Sequence, residues 1–103
     1  MIVTVHKLKL KQPFFDAVVN GSKTFEVRVN DRNFMQGDIV IMQEVDENAE
    51  FTTPERFINA DIGFVLSGHG LQEGHVAFSL LNVKEYKSHA DMWAGNGVIG
   101  LTD

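Results

Sequence analysis

The feature that most constrains this chain is a strict alternation of side chains near its start. Residues 6–11 switch at every position between a side chain suited to a core and a lysine. The first parity is His6, Leu8 and Leu10, and the second is Lys7, Lys9 and Lys11. Because successive side chains of a β-strand point to opposite faces, the pattern predicts a half-buried strand with a cationic outer face.

A short helix is expected directly after this strand. Pro13 suits the first helical position, and Gly21 suits the left-handed residue that ends a helix. Apolar residues recur between them at the helical spacing i, i+3, i+4, in the order Phe14, Ala17, Val18. The pattern predicts about two helical turns with these three side chains facing the core.

Four further segments are predicted to be strands and are separated by turn residues. They are residues 24–29, 38–42, 57–66 and 75–83. With the first strand and the helix, they predict an α+β fold, a small barrel or strongly bent sheet of about five to six strands. We predict a single domain over residues 1–103. Residues 84–103 form a C-terminal extension in which Tyr86, Met92 and Trp93 allow a short helix.

The alternation also predicts which side chains face the core. In the segment 24–29 the inward parity is expected to be Phe25, Val27 and Val29. In the segment 57–66 it is expected to be Ile58, Ala60, Ile62, Phe64 and Leu66. The acidic segment 44–50 is expected to be a solvated loop.

Composition excludes several classes of protein. The chain has 103 residues, of which 44% are hydrophobic, so it is long enough for one core and is not of disordered type. It has no run of about 18 apolar residues, which predicts no membrane span. The absence of cysteine excludes disulfides, thiolate metal sites and cysteine nucleophiles. The first residues show no secretory signal, so the predicted location is the cytoplasm.

The net charge of −5 is unevenly distributed along the chain. Residues 1–32 hold six basic and three acidic side chains, which gives +3. Residues 33–103 hold three basic and eleven acidic ones, which gives −8. This asymmetry predicts a basic face and an acidic face, and a basic face favours anionic partners.

The strand at residues 24–29 carries the most informative side chains. Glu26 and Arg28 lie two residues apart, so on a strand they are about 7 Å apart and can share one ligand or pair with each other. With Gly21 and Lys23 they form the pattern G-x-K-x-x-E-x-R. This pattern resembles the signature of the ASCH domain, a branch of the PUA-like superfamily, in its small bacterial and phage members. The resemblance extends over residues 3–83.

The resemblance implies a PUA-like β-barrel with a cleft between the early helix and the barrel. Such domains are thought to bind RNA or nucleotides in that cleft, and the pattern points to Lys23, Glu26 and Arg28 as binding residues. Three further candidates come from the residues themselves. Thr24 offers a hydroxyl on the same strand, Arg32 follows in the next loop, and the parity of His6 points it toward the interior or the cleft.

Two alternatives to binding remain at this point. Some small members of the family are amidohydrolases that act on acylated cytidine, with a lysine at the Lys23 position and a hydroxyl residue three positions later. This chain has Glu26 at that later position, and its carboxylate would stabilise a protonated lysine. We therefore favour binding over an enzyme in the same cleft, whether an amidohydrolase that uses Lys23 and Glu26 or an RNA-processing enzyme. The other alternative is a small acidic protein-interaction or inhibitor protein.

Metal and cofactor chemistry is not predicted. His69, Glu73 and His75 share a glycine-containing loop, but their spacing matches no metal-binding motif, so we expect neither a metal nor a cofactor. The expected partner is RNA, a nucleotide or a nucleoside, and no association with a membrane is expected. The oligomeric state is left open by the sequence.

Overall fold

The computed structural model describes residues 3–88, which form one α-helix and five β-strands. In chain order these are β1 (Val5–Lys11), α1 (Gln12–Val19), β2 (Phe25–Val29), β3 (Ile39–Val45), β4 (Phe57–Ser67) and β5 (His75–Tyr86). The strands form one sheet that curls into a half-barrel, which confirms the predicted α+β, barrel-like fold. Of the residues proposed for a C-terminal helix, Tyr86 instead ends β5, so the strand continues through residues 84–86, which were predicted to belong to the extension. Met92 and Trp93 lie outside the described part of the chain.

The sheet has the strand order β1-β3-β4-β5-β2. Strands β1 and β3 are parallel, and the other three pairs are antiparallel. The parallel pair needs a crossover, which α1 and β2 supply on the way from β1 to β3. Strands β1 and β2 are therefore the two edges of the half-barrel, although they are consecutive strands in the chain. The gap between these two edge strands is called the seam below.

The main core cluster lies between α1 and the sheet, and a smaller cluster of Val5, Ile41 and Phe57 is buried separately from it. The predicted parity of β1 is confirmed, because His6, Leu8 and Leu10 are buried and the intervening lysines are exposed. For the helix, the prediction is confirmed for Val18 and wrong for Phe14. Phe15 and Val18 are its buried residues, whereas Phe14 is half-exposed. Two adjacent phenylalanines differ by only about 100° around a helix, so the sheet that receives the helix decides which one is buried.

Strand β2 is inverted relative to the prediction. Phe25, Val27 and Val29 are 47%, 46% and 54% exposed, while Glu26 is only 3% exposed. The inner face of this edge strand looks into the seam rather than into the apolar core. A carboxylate can be buried there because two cations reach it, as described below.

Strand β4 carries a register shift that the alternation could not predict. Its pairing with β5 is irregular between Ile62 and Val65, so side-chain parity reverses there. Val65 consequently packs against the core, while Phe64 is 67% exposed instead of pointing inward. The backbone N–H of Phe64 donates to the hydroxyl of Ser79 at 2.9 Å, which holds the irregular segment against β5.

The acidic segment 44–50 is only partly a solvated loop. Glu44 belongs to β3 and is buried, where it accepts hydrogen bonds from the Thr52 hydroxyl at 2.6 Å and from Arg56 at 2.8 Å. Arg56 also pairs with Asp16 on α1 and with Glu85 on β5. Burial lowers the pKa of Arg56, but its hydrogen bonds to Glu85 and Asp16 and the attraction of Glu44 outweigh burial and raise that pKa.

The helix of the described segment is short. α1 has eight residues, and within residues 3–88 no helix is both long enough and apolar enough to cross a membrane. A span of the bilayer core needs about 20 residues of helix.

Candidate functional site

The turn between α1 and β2 delivers the motif residues to the seam. Gly21 adopts φ +85°, a left-handed conformation that lets the chain leave the helix. The N–H of Lys23 then donates to the carbonyl of Ala17 at 3.0 Å, which fixes where β2 begins. Glu26 and Arg28 follow on the inner face of β2, so the three charged side chains of the motif meet at the seam.

Glu26 joins the two cations of the motif. One carboxylate oxygen accepts from Lys23 Nζ, and the other accepts from Arg28 Nε at 2.8 Å. The Lys23 ammonium also donates to the carbonyl of Phe25 at 2.6 Å. Because Glu26 is almost fully buried, this pairing is what makes its charge tolerable in the fold.

Arg28 also spans the seam. Its Nη2 donates to the main-chain carbonyl of Lys9 at 2.9 Å, and Lys9 lies on the opposite edge strand β1. A single guanidinium therefore links Glu26 on β2 to the backbone of β1. The rigid, planar guanidinium can donate to both acceptors at once in a fixed geometry. A lysine ammonium on its flexible side chain would not fix the two acceptors relative to each other in this way.

A depression of about 390 Å³ opens at this seam. It is lined by β1, the first turn of α1 and β2, and its charged lining residues are Lys9, Lys11, Lys23, Glu26 and Arg28. Two further depressions, of about 370 and 310 Å³, adjoin it. Lys9 lines all three, so they form one continuous surface around β1.

We call the basic side chains of this surface the cationic strip. They are Lys7, Lys9, Lys11, Lys23, Arg28 and Arg32. These are six of the nine Lys and Arg residues of the chain, and the carboxylates that line the same three depressions are Glu26 and Asp31. The basic residues that the sequence concentrates in positions 1–32 therefore do form one basic surface, as the charge asymmetry predicted.

Exposed aromatic rings flank the strip. Phe14 and Phe25 line the seam depression and Phe51 lines the 310 Å³ depression, and each ring is about half exposed. Lys23 Nζ lies 5.1 Å from the centre of the Phe25 ring, and Lys9 Nζ lies 5.1 Å from that of Phe51. Sequence reasoning assigned Phe14 and Phe25 to the core and did not consider Phe51. For Phe14 and Phe25 the available signal was their closeness in sequence to Lys11 and Lys23; Phe51 meets Lys9 only through the tertiary structure.

The other candidates from the sequence are placed differently. Arg32 lines two of the three depressions, next to Lys9. Thr24 precedes β2 and lines none of the three, and its carbonyl accepts from the N–H of Leu80 at 3.0 Å. His6 is buried, with Nε2 2.8 Å from a carboxylate oxygen of Asp38 and its ring 4.7 Å from that of Phe34. It therefore lies in the core and does not reach the strip.

The histidine-containing loop does not assemble a metal site. Within residues 3–88, no three His, Asp or Glu side chains are placed to hold one metal ion. His75 instead lies at the start of β5, with Nδ1 3.3 Å from the carbonyl of Glu73.

Comparison with known proteins gives a family without an assigned activity. A stretch of 44 residues is 41% identical to an uncharacterised 12.9 kDa protein encoded in the GpA 3′ region of Escherichia phage P2. This match covers 43% of the present chain and 40% of the phage protein, so it spans less than half the length of that relative. The profile of a domain of unknown function, DUF3850, matches residues 5–80, which run from the start of β1 to the middle of β5. The chain therefore belongs to the DUF3850 family.

Proposed function

We propose that this protein binds RNA or a nucleotide on the cationic strip. The observation that carries the proposal is the gathering of six basic side chains around one edge strand, with half-exposed phenylalanines among them. Phosphates are bound mainly by Lys and Arg, and unpaired bases stack on aromatic rings. The resemblance of the G-x-K-x-x-E-x-R motif to that of the ASCH domain supports the same ligand class.

The net charge of −5 does not oppose this proposal. Part of the negative charge is engaged within the protein, since Glu44, Glu85 and Asp16 all pair with Arg56. Interactions between exposed charges are screened over about 8 Å at physiological salt, so the local field of the strip governs a short ligand near it. A net acidic chain with one basic surface favours a small anionic ligand over a long duplex.

Five of the six strip residues divide into two roles. Lys9, Lys11 and Arg32 are exposed and available to phosphate oxygens. Lys23 and Arg28 are held by Glu26 and set the shape of the seam depression. Glu26 also lines that depression, but it is almost fully buried and its two carboxylate oxygens are engaged by Lys23 and Arg28, so its role is to position these two cations.

The geometry of Lys23 favours binding over the amidohydrolase alternative. Its Nζ is engaged as a hydrogen-bond donor to both the Glu26 carboxylate and the Phe25 carbonyl. A nucleophilic or basic lysine must give up its proton, for which neighbouring cations or an apolar site are suited. We therefore propose a binding protein.

The direct test compares two double variants that remove the same charge. Lys9→Gln/Arg32→Gln removes two exposed cations from the strip, and Lys84→Gln/Lys87→Gln removes two exposed cations at the end of β5 and beyond. Binding of a single-stranded RNA is measured by fluorescence anisotropy between about 50 and 200 mM salt. We expect the strip variant to weaken binding at least tenfold and to reduce the salt slope by about 0.7 for each phosphate that it no longer neutralises.

The control variant separates a defined site from general charge attraction. We expect it to change the affinity by less than twofold. Equal weakening in the two variants would show that RNA responds only to net charge, and an unchanged affinity in the strip variant would refute the proposed site.

A further inference from the structure

We propose that the cationic strip is a site for single-stranded RNA of about three to four nucleotides, whose bases stack on Phe14, Phe25 and Phe51. The inference rests on the proposed function and narrows its ligand from RNA or a nucleotide to a short, unpaired strand. It is carried by the pairing of each exposed ring with a cation and by the continuity of the three depressions.

Each pair of a ring and a cation has the two parts that one nucleotide needs. Lys23 Nζ lies 5.1 and 5.7 Å from the ring centres of Phe25 and Phe14, in the seam depression. Lys9 Nζ lies 5.1 Å from the Phe51 ring, in the depression on the outer side of β1. A ring accepts the face of any base. Beside Phe51 the exposed Lys9 ammonium meets the neighbouring phosphate, and beside Phe14 and Phe25 the exposed Lys11 ammonium of the same depression does so, because Lys23 is held by Glu26.

The arrangement is larger than a mononucleotide requires. The three depressions measure about 390, 370 and 310 Å³, and each is at the small end of ligand-sized pockets, which span roughly 300–1,000 Å³. The middle one is lined by Arg28 and Arg32 and connects the two that carry rings. A ligand that stacked on rings in both of those depressions would therefore pass Arg28 and Arg32 on its way.

A duplex does not suit these rings. The bases of a duplex are already stacked on one another, so it would offer the strip phosphates and leave the rings without a partner. Single strands instead expose base faces, and stacking of one base on an aromatic side chain strengthens binding roughly fivefold to a hundredfold, which corresponds to about 1–3 kcal/mol. The half-exposed rings thus favour an unpaired strand.

The strip also has a limit at one end. Beyond Lys11 and Phe14 the next depression is lined by Asp46 and Glu47, whose carboxylates repel phosphate. A strand that stacks on Phe14 is therefore not extended further in that direction. This limit is the reason for assigning a short ligand rather than a track for a long one.

The experiment is a titration with ligands of increasing length. Isothermal titration calorimetry at about 50 mM salt compares uridine 5′-monophosphate with uridylate oligomers of two, four and eight nucleotides. We expect the affinity to rise at least a hundredfold from the mononucleotide to the tetranucleotide, and then less than fivefold to the octanucleotide. A tetranucleotide no tighter than the mononucleotide would overturn this inference and leave the proposed function intact. Failure of every one of these ligands to bind would overturn both.

Two matched variants test the role of the rings. Phe51→Leu removes a ring of the strip, and Phe64→Leu removes another exposed ring from β4, outside the three depressions. We expect Phe51→Leu to weaken the tetranucleotide by fivefold to a hundredfold without affecting the mononucleotide, which we expect to bind in the seam depression, away from Phe51. Equal effects of the two variants would overturn the stacking role, as would a duplex that binds more tightly than a single strand of the same length.

Discussion

Glu26→Gln is the substitution that most directly tests how the seam is built. The variant keeps the shape of the side chain and removes its charge. In the wild-type protein Glu26 is 3% exposed, while its partners Lys23 and Arg28 are 18% and 23% exposed. The glutamine oxygen can accept from one cation, but its NH₂ group then faces the other donor.

The expected cost follows from these exposures. Breaking a fully buried ion pair costs about 3–5 kcal/mol. Here the two cations retain some contact with water, which recovers part of that cost, so we expect Glu26→Gln to lower the free energy of unfolding by about 2–3 kcal/mol. For a domain of this size, a decrease of about 2 kcal/mol lowers Tm by roughly 8–16 °C.

The measurement is urea unfolding followed by circular dichroism, with a double-mutant cycle. The cycle uses Glu26→Gln, Arg28→Gln and the combined variant, and we expect a coupling free energy above about 1 kcal/mol. Glu47→Gln serves as the control, because Glu47 is an exposed loop carboxylate whose removal should matter by less than about 0.5 kcal/mol. If Glu26→Gln behaved like Glu47→Gln, the charge of Glu26 would not be holding the seam and the reasoning above would be refuted.

Three further predictions concern other parts of the protein. Arg56→Met leaves the buried Glu44 without its cation and should lower the free energy of unfolding by about 2–4 kcal/mol in urea titrations, whereas Arg56→Met/Glu44→Gln should cost less than the single variant. Gly63→Ala places a Cβ against the Ser79 hydroxyl and 3.2 Å from the Leu81 side chain, so thermal melting should show a destabilisation of about 1–3 kcal/mol. Adding Ser79→Ala should relieve part of it, and strictly additive effects would contradict the proposed clash. Finally, N4-acetylcytidine incubated with the protein should remain intact by chromatography, and a product that disappears in Lys23→Ala would restore the amidohydrolase hypothesis.

The alternation of residues 6–11 was sufficient to predict β1 and the faces of its side chains. The same is true of the position of α1, because Pro13 and Gly21 act on their own neighbours in the chain. The membership of the cationic strip was partly visible too, since its six basic residues all come from residues 1–32. These features depend on local conformation, and local conformation is encoded over a few consecutive residues.

The interior of the site was not predictable in this way. Apolar residues alternate on β2 as they do on a core strand, yet Phe25 and Val27 face outward and Glu26 faces inward. The phenylalanines assigned to the core at Phe14 and Phe64 are exposed for related reasons, the orientation of α1 and the register shift in β4. In each case the deciding partner lies far away in the chain.

The sequence by itself therefore determined where the strands and the helix form and where the positive charge is concentrated. Only the tertiary structure decided which face of each element is buried, and that β1 and β2 meet as the two edges of a half-barrel. The physical reason is that burial of Glu26 depends on groups brought together from three places: Lys23 in the turn before β2, Arg28 on the same strand, and the backbone of Lys9 that anchors Arg28 from β1. Period-two alternation records which side chains share a face, but the closure of the sheet determines what that face meets.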